Sequence, residues 1–243
     1  MSFQIEDLEE LEGRQYRVVL PQGYENSSEA YPVVYINGDR QVLKLLKDQA
    51  YIAELKCILI IISSQKRLDD FSPWFMAAES EKGHDFGGKG AEYLEWILNT
   101  LKPAVDKEYR TLTGASDTAV MGQSVGGLIS LYAMCQTDQF GYAACISPSS
   151  WFPGFIKYFE EHVIIKEDTQ FYISTGTKEG AFHGDSRKHA VKSTEKIYNF
   201  LRSNIGMNRV TLYQDDGKHQ DYLEQRFQYA LLWLNSRFES AKG

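Results

Sequence analysis

The sequence has few cysteines, no long apolar run and no excess of positive charge. Its 243 residues include 3 cysteines, and 33 acidic residues outnumber 26 lysines and arginines, which gives a formal net charge of −7. A nucleic acid or an anionic membrane binds a cationic protein face, so this balance argues against both as the main partner. A helix that spans a bilayer needs about 20 consecutive apolar residues, and the sequence contains no run of that length.

The cysteines are odd in number, and each lies in an apolar segment, at Cys57, Cys135 and Cys145. None belongs to a paired C-x-x-C motif, so the sequence favours buried free thiols over a zinc site. The acidic segment 1–12 lacks the basic start and the apolar stretch of a signal peptide. We therefore expect a protein of the reducing cytoplasm that holds no metal.

Short apolar runs rich in β-branched residues alternate with segments of helical periodicity along the whole chain. The predicted strands are 14–20, 32–36, 57–62, 118–122, 142–147, 171–175 and 210–213. The predicted helices are 41–49, 90–101, 125–135, 155–162, 186–204 and 221–238. This alternation predicts an α/β fold, with a doubly wound and mostly parallel sheet and helices on both faces. We expect one domain over 1–243, because α/β folds of this length are commonly undivided.

The carboxyl ends of the predicted strands are where functional residues are expected, because parallel sheets carry their chemistry at that edge. One of these ends contains the motif G-x-S-x-G at residues 122–126, between a predicted strand and a predicted helix. A serine on such a tight turn adopts strained backbone angles, and Gly122 and Gly126 remove the Cβ atoms that would collide there. The motif predicts Ser124 as a nucleophile. A glycine-rich turn with a solvated serine is the alternative.

A serine hydroxyl is a poor nucleophile unless a neighbouring base accepts its proton, so the motif requires a histidine. If serine, acid and histidine follow one another along the chain, the candidates are His162, His183, His189 and His219. His162 lies in the predicted helix 155–162, whereas His219 lies in the loop between the last strand and the last helix. Because that loop reaches the same edge of the sheet, we interpret His219 as the base.

The triad acid is expected after the penultimate strand, where it would hold the imidazole in the correct tautomer and stabilise the imidazolium. Glu179 is the first carboxylate there, and Asp185 follows a few residues later as the alternative. Asp215 and Asp216 are so close in sequence to His219 that we favour a role in the turn for both. The sequence therefore predicts Glu179 as the acid.

An oxyanion hole needs two backbone N–H groups aimed at the developing alkoxide. We expect one from Val125, which follows the nucleophile, and one from Asp39, because the preceding glycine lets the chain turn sharply. Arg40 in the same loop, together with Trp74 and Trp151, is a candidate substrate-binding residue. Tryptophans also fill gaps in a core, so packing is the alternative for both of them.

Several further segments are similar to one known family, namely 32–38 (PVVYING), 67–74 (RLDDFSPW), 90–103, 109–111 and 146–152 (ISPSSWF). They resemble the esterase family of α/β-hydrolases, which contains esterase D (S-formylglutathione hydrolase), the mycobacterial mycolyltransferases and the ferric-siderophore esterases that act on enterobactin and bacillibactin. The resemblance implies an α/β-hydrolase fold in which Ser124 is the nucleophile, His219 the base and Glu179 the acid, without a cofactor.

Together these features predict a cytoplasmic serine hydrolase that cleaves small-molecule carboxylic esters. Siderophore-type esters are among the substrates that the resemblance implies. One alternative is an acyltransferase that forms the same acyl-enzyme and passes the acyl group to an alcohol instead of water. The other alternative is a non-catalytic binding protein on the same scaffold.

Overall fold

The computed structural model describes residues 4–6, 8–38, 40–46, 49–81 and 83–241. The strands in this part of the chain are β1 (Gln4–Ile5), β2 (Glu9–Leu11), β3 (Arg14–Leu20), β4 (Val33–Gly38), β5 (Ile58–Ser63), β6 (Phe75–Met76), β7 (Phe86–Gly87), β8 (Thr118–Gln123), β9 (Tyr142–Ile146), β10 (Gln170–Gly176) and β11 (Val210–Asp215). The α-helices are α1 (Arg40–Leu46), α2 (Arg67–Asp70), α3 (Gly90–Trp96), α4 (Lys102–Glu108), α5 (Val125–Gln136), α6 (Phe155–His162), α7 (Ala190–Ile205) and α8 (Leu223–Ser240).

A nine-stranded sheet forms the centre of the described chain, in the order β1-β3-β5-β4-β8-β9-β10-β11, with β2 paired to β3. Strands β4, β5 and β8 to β11 run parallel to one another, while β3 runs antiparallel to β5. The prediction of a mostly parallel sheet is confirmed. Because β8 to β11 are adjacent and parallel, their carboxyl ends lie side by side at one edge.

The sheet is buried on both faces, because neighbouring residues of a strand belong to different hydrophobic clusters. In β4, Val33 and Tyr35 pack in one cluster, and Val34 and Ile36 pack in the other. Residues of α3 to α7 complete the first cluster, and residues of α1 and α8 complete the second. Strands buried on both faces are continuous apolar runs, which confirms the prediction of helices on both faces.

The structure contains elements that the sequence does not predict. The helix predicted for 90–101 continues, because a π-helical turn (Ile97–Leu101) connects α3 to α4. Pro103 is the second residue of α4, where its ring would crowd a regular helix and it has no N–H to donate. The two- and three-residue strands β1, β2, β6 and β7 were not predicted, because such short segments carry no periodicity.

All three cysteines are buried and free, as their apolar surroundings predict. Burial raises the pKa of both Cys57 and Cys135 to about 12, so these thiols stay protonated and inert near neutral pH. In the ranges given above, every helix is too short or too polar to cross a membrane. The same residues contain no group of three or more His, Cys, Asp or Glu arranged to hold a metal ion.

Candidate active site

Ser124 lies on the turn between β8 and α5, with φ of 60° and ψ of −120°. Its backbone N–H donates to the carbonyl of Ile146 at 2.9 Å, which fixes the turn to the end of β9. A Cβ atom on Gly126 would collide with the carbonyl oxygen of Asn37, and one on Gly122 would collide with the backbone of Gly126. The two glycines therefore permit the strained serine at this edge of the sheet, as the motif predicts.

His219 lies in the turn between β11 and α8 and contacts both other residues of the predicted triad. Its Nε2 is 3.0 Å from Oγ of Ser124, and its Nδ1 is 2.7 Å from Oε2 of Glu179. When Nδ1–H donates to the carboxylate, Nε2 is left to accept the serine hydroxyl hydrogen. The side-chain nitrogen of Gln123 lies 3.4 Å from the same Nε2. The structure thus brings Ser124, His219 and Glu179 together in the predicted order.

Glu179 is buried, and Oε1, the carboxylate oxygen that does not face His219, accepts hydrogen bonds from other residues. Oε1 accepts hydrogen bonds from the Gly176 backbone N–H at 2.7 Å, the Ser147 hydroxyl at 2.7 Å and Arg226 at 3.1 Å. Burial by itself raises the pKa of this carboxyl, but the hydrogen bond and charge of His219, with the bonds from Gly176 and Ser147, bring the pKa below its usual value. Glu179 is therefore an ionised carboxylate with only Oε2 facing the imidazole.

The other carboxylates near the site have different partners. Asp185 forms an ion pair with Arg187 and accepts its Nε–H at 2.9 Å, and the hydrogen bonds of Arg187 lower the pKa of Asp185 to about 2. Asp215 accepts the backbone N–H of Gly217 at 2.8 Å, which is the turn role expected for it. The geometry favours Glu179 over Asp185 as the partner of His219.

The remaining downstream histidines lie on the surface. His162 ends α6, where its ring stacks on Tyr158 at 4.2 Å between centroids. His183 and His189 are exposed residues before α7. Among the described residues, no hydrogen bond connects any of these three histidines to Ser124 or Glu179. The choice of His219 from the chain order therefore agrees with the geometry.

The structure describes the two predicted oxyanion donors only in part. Val125 is the first residue of α5, where a backbone N–H has no partner within the helix, and it lines the cleft beside Ser124. Asp39 lies outside the described residues. Arg40 begins α1, but its side chain also lies outside them. The predictions for Asp39 and Arg40 therefore stay predictions.

A cleft of about 350 Å³ opens at Ser124. Its lining combines apolar and charged side chains, among them Leu68, Met76, Phe86, Trp151, Arg67, Glu79, Asp185 and Arg187. Trp151 lies in this wall with its ring 6.3 Å from Phe86 in an edge-to-face contact. The segments that contribute Glu79 and Asp185 to the lining meet where the Ser186 backbone N–H donates to Glu79 at 3.0 Å. Trp151 is thus positioned to contact a bound molecule.

Trp74 does not line this cleft among the residues that the structure describes. Its indole packs against Phe152 at 5.7 Å and Tyr158 at 5.4 Å between ring centroids, and its Nε1 donates to the carbonyl of Pro153 at 3.2 Å. The tryptophan therefore stabilises the segment behind the cleft wall. This contact pattern favours the packing alternative, and the substrate-binding role of Trp74 stays a prediction.

A family model described as "Putative esterase" matches residues 12–242 of the chain. The chain belongs to this esterase family. The match agrees with the resemblance seen in the sequence motifs, and it makes the protein a carboxylic ester hydrolase.

Several similar proteins align with the esterase over most of its length. "Uncharacterized protein YbbA" of Bacillus subtilis (strain 168) is 27% identical over an alignment of 238 residues, and the match covers 93% of this chain and 94% of that protein. The structure of an IroE-like serine hydrolase from Shewanella oneidensis matches with a TM-score of 0.73 and 21% identity, covering 97% of this chain and 79% of the other. Siderophore hydrolase EstA from Aspergillus nidulans matches with a TM-score of 0.71 and 17% identity, covering 97% and 95%. The two structures share the α/β-hydrolase fold with the esterase.

The sequence does not predict the roles of Ser147 and Arg226, which both hold Glu179. A signal for Arg226 is nevertheless present in the sequence. It precedes Phe227 and lies four residues before Ala230, both of which are buried, so it falls within the apolar stripe of α8. An arginine on the buried face of an amphipathic helix indicates an internal ion pair, because a buried charge needs a partner.

Proposed function

We propose that the esterase is a serine hydrolase in which Ser124, His219 and Glu179 act as nucleophile, base and acid on small-molecule carboxylic esters. The observation that carries the proposal is the unbroken hydrogen-bond chain from Ser124 Oγ through His219 to Glu179, with distances of 3.0 and 2.7 Å. A base at such a distance accepts the proton of an attacking hydroxyl.

In the first half of the reaction, the Ser124 hydroxyl attacks the ester carbonyl carbon while Nε2 of His219 accepts its proton. Glu179 stabilises the imidazolium that forms, and the imidazolium then donates this proton to the departing alkoxide. The alcohol leaves and an acyl-enzyme remains. In the second half, His219 accepts a proton from water, the resulting hydroxide attacks the acyl carbon, and the acid is released as Ser124 regains its proton.

The carbonyl oxygen gains negative charge in both halves and needs donors that are already in place. The backbone N–H of Val125 is one, because it points out of the positive end of α5. As the second we propose the N–H of Asp39, in the loop that follows β4. The chain's own groups thus supply proton transfer and oxyanion binding, and the proposed reaction needs no cofactor.

The lining of the cleft supports a substrate with an apolar acyl group, which Met76, Phe86 and Trp151 would contact. Arg40 is proposed as a further substrate contact from the loop after β4. Siderophore-type esters are one substrate class within this proposal, since the similar protein from Aspergillus nidulans is named a siderophore hydrolase. Other small esters with an apolar acyl group fit the same lining.

The cytoplasm is the compartment that we propose. The three cysteines of the chain are free thiols, and free thiols persist in a reducing compartment. Fractionation of the native organism's cells, followed by detection of the protein, tests this assignment.

Turnover of p-nitrophenyl butyrate and labelling by a fluorophosphonate test the reaction. We expect the wild type to hydrolyse the ester and to be labelled at Ser124, and Ser124→Ala to lose labelling and at least roughly 10³-fold in turnover. Ser203→Ala is the matched control, because Ser203 is an exposed serine of α7 and its loss should change neither readout. A wild type without turnover and labelling would contradict the proposal in favour of a binding protein. Transfer of the acyl group to added alcohols in preference to water would favour the acyltransferase.

A further inference from the structure

Arg226 connects the triad acid to the turn that carries the base. Its completely buried guanidinium donates from Nη1 to Ser147 Oγ at 2.7 Å and to Glu179 Oε1 at 3.1 Å. From Nε and Nη2 it forms a fork with the carboxylate of Asp215, at 2.6 Å for each bond. Nη2 also reaches the carbonyl of Lys218, the residue before the base, at 3.2 Å. All three guanidinium nitrogens are therefore engaged.

These contacts join three adjacent strand ends. Ser147 follows β9, Glu179 follows β10 and Asp215 ends β11. The α8 arginine lies between them and bonds to all three, so the three loops are held in one arrangement. In particular, the bond to Oε1 leaves Oε2 of Glu179 free for the imidazole.

The arrangement is costly to bury and carries a net negative charge. Charged side chains lose their hydration when they are buried. Replacing a buried ion pair by apolar residues of similar volume therefore often gives an equally stable protein. Burial by itself would raise the pKa of the Asp215 carboxyl, but the hydrogen bonds and charge of Arg226 hold it below its usual value. One positive and two negative charges leave a net charge of −1 beside the ring, opposite in sign to the imidazolium that the reaction forms.

We propose that Arg226 is a positioning residue of the hydrolytic reaction, which holds Glu179 and the His219 turn as one unit and, with Asp215, adjusts how strongly the imidazolium is stabilised. The inference rests on the proposed function, because it assigns a role to residues around that triad.

Arg226 and Asp215 act on the imidazolium in opposite directions, since a nearby positive charge disfavours it and a nearby negative charge favours it. Among the residues that the structure describes, the other charged or titratable groups near the ring are Lys178, Asp216, Lys218 and Asp221 at the turn, and Arg67, Glu79, His84, Asp185 and Arg187 in the cleft. The variants below leave all of these groups unchanged. A shift in the pH dependence can therefore be assigned to the substituted residue.

Three variants separate the geometry from the charge. Arg226→Lys keeps the charge but loses the planar fork, so we expect kcat to fall about 10-fold with the acid limb of kcat/KM unmoved. Arg226→Met loses both, so kcat falls at least as far and the acid limb moves to higher pH by roughly 0.5 to 1 unit. Asp215→Asn moves the acid limb to lower pH by a similar amount. KM should stay within about twofold in all three, because neither residue lines the cleft.

Arg237→Met is the matched control, because it removes the same charge from the same helix at a residue whose guanidinium lies over Trp233, 5.3 Å from the ring centroid. We expect its kcat and acid limb to equal those of the wild type. Melting temperatures are measured for every variant, and the rates are taken well below them. If Arg226→Met does not fold, Arg226→Lys and Asp215→Asn carry the test.

A purely structural ion pair would lower the melting temperatures of the variants but leave kcat and the acid limb of the folded proteins at wild-type values. That result would overturn the proposal, as would shifts of the acid limb in the same direction for Arg226→Met and Asp215→Asn. Failure of the proposed function is seen separately. In that case the wild type itself shows no turnover that depends on Ser124.

Discussion

Ser147 donates its hydroxyl hydrogen to Oε1 of Glu179 at 2.7 Å, from a backbone with φ of 45°. This left-handed conformation is uncommon for a residue other than glycine. The Ser147 backbone N–H is bonded to the carbonyl of Ser174 at 2.7 Å, and its hydroxyl also accepts from Arg226, so both backbone and side chain are held in place. The end of β9 therefore helps to orient a carboxylate that belongs to the loop after β10.

We expect Ser147→Ala to lower kcat about 10-fold and the free energy of unfolding by about 2 kcal/mol. The substitution leaves a buried carboxylate oxygen and a buried guanidinium N–H each with one partner fewer. Steady-state kinetics and urea unfolding measure the two effects. Ser150→Ala is the control, because Ser150 is equally buried but bonds to Thr194 at 3.0 Å; it should lose stability and keep kcat. Wild-type kcat in Ser147→Ala would contradict this prediction.

The close approach of β4 to the nucleophile turn predicts that Gly126→Ala is severely destabilising. A Cβ atom there would collide with the carbonyl oxygen of Asn37, and Asn37 cannot retreat because its side chain bonds to Tyr93 at 2.6 Å and Ser130 at 3.0 Å. We expect a loss of about 3 kcal/mol in urea unfolding and of most turnover. Gly114→Ala is the control, because a Cβ atom there meets nothing nearer than 3.6 Å. Equal stability of the two variants would refute the argument.

The fold could be predicted from the sequence because strands buried on both faces produce continuous apolar runs such as 57–62. The predicted ends of the helices and strands were less accurate. The helix predicted for 41–49, for example, spans Arg40–Leu46. The π-helical turn before Pro103 was not expected, because proline usually ends a helix and the tertiary contacts that extend it leave no local pattern.

The proximity of Ser124, Glu179 and His219 could be predicted because parallel strands bring their carboxyl ends to one edge of the sheet. The contact of Arg226 with Glu179 could not, because these residues are 47 positions apart and the pairing depends on how α8 packs on the sheet. The position of Arg226 on the apolar face of α8 indicates that it is buried, but only the packed structure shows which carboxylates it bonds to.

The pKa shifts predict that the esterase loses stability in acid through the two carboxylates that bond to Arg226. The pKa values of Glu179 and Asp215 are lowered from ordinary values of 4.5 and 3.8. Their stabilising contribution is therefore complete above pH 4.5 and is lost as the pH falls through the folded-state pKa values, since the unfolded chain binds protons first. We expect Glu179→Gln to show a shallower fall of the free energy of unfolding between about pH 5 and pH 3.

The control for this acid experiment is Glu161→Gln, which removes an exposed carboxylate paired with Lys157 at 3.8 Å. Its pH dependence should equal that of the wild type, because exposed pairs contribute little. Urea unfolding at a series of pH values measures the slopes. Identical slopes for the wild type and Glu179→Gln would mean that Glu179 gains no stabilisation of its charged form on folding.

The backbone angles of Ser124 predict that glycine is more stable than alanine at this position. With φ of 60° and ψ of −120°, a residue with a Cβ atom is strained, whereas glycine is not. We expect the free energy of unfolding of Ser124→Gly, measured with urea, to exceed that of Ser124→Ala by about 1 kcal/mol. Turnover should be absent in both variants. The same pair of substitutions at Ser203, inside α7, should give the opposite order, because glycine weakens a helix by about 0.5 to 1 kcal/mol relative to alanine. An alanine variant as stable as the glycine variant at Ser124 would show that the turn stores no strain, and the role of Gly122 and Gly126 would then be limited to the close approach of β4.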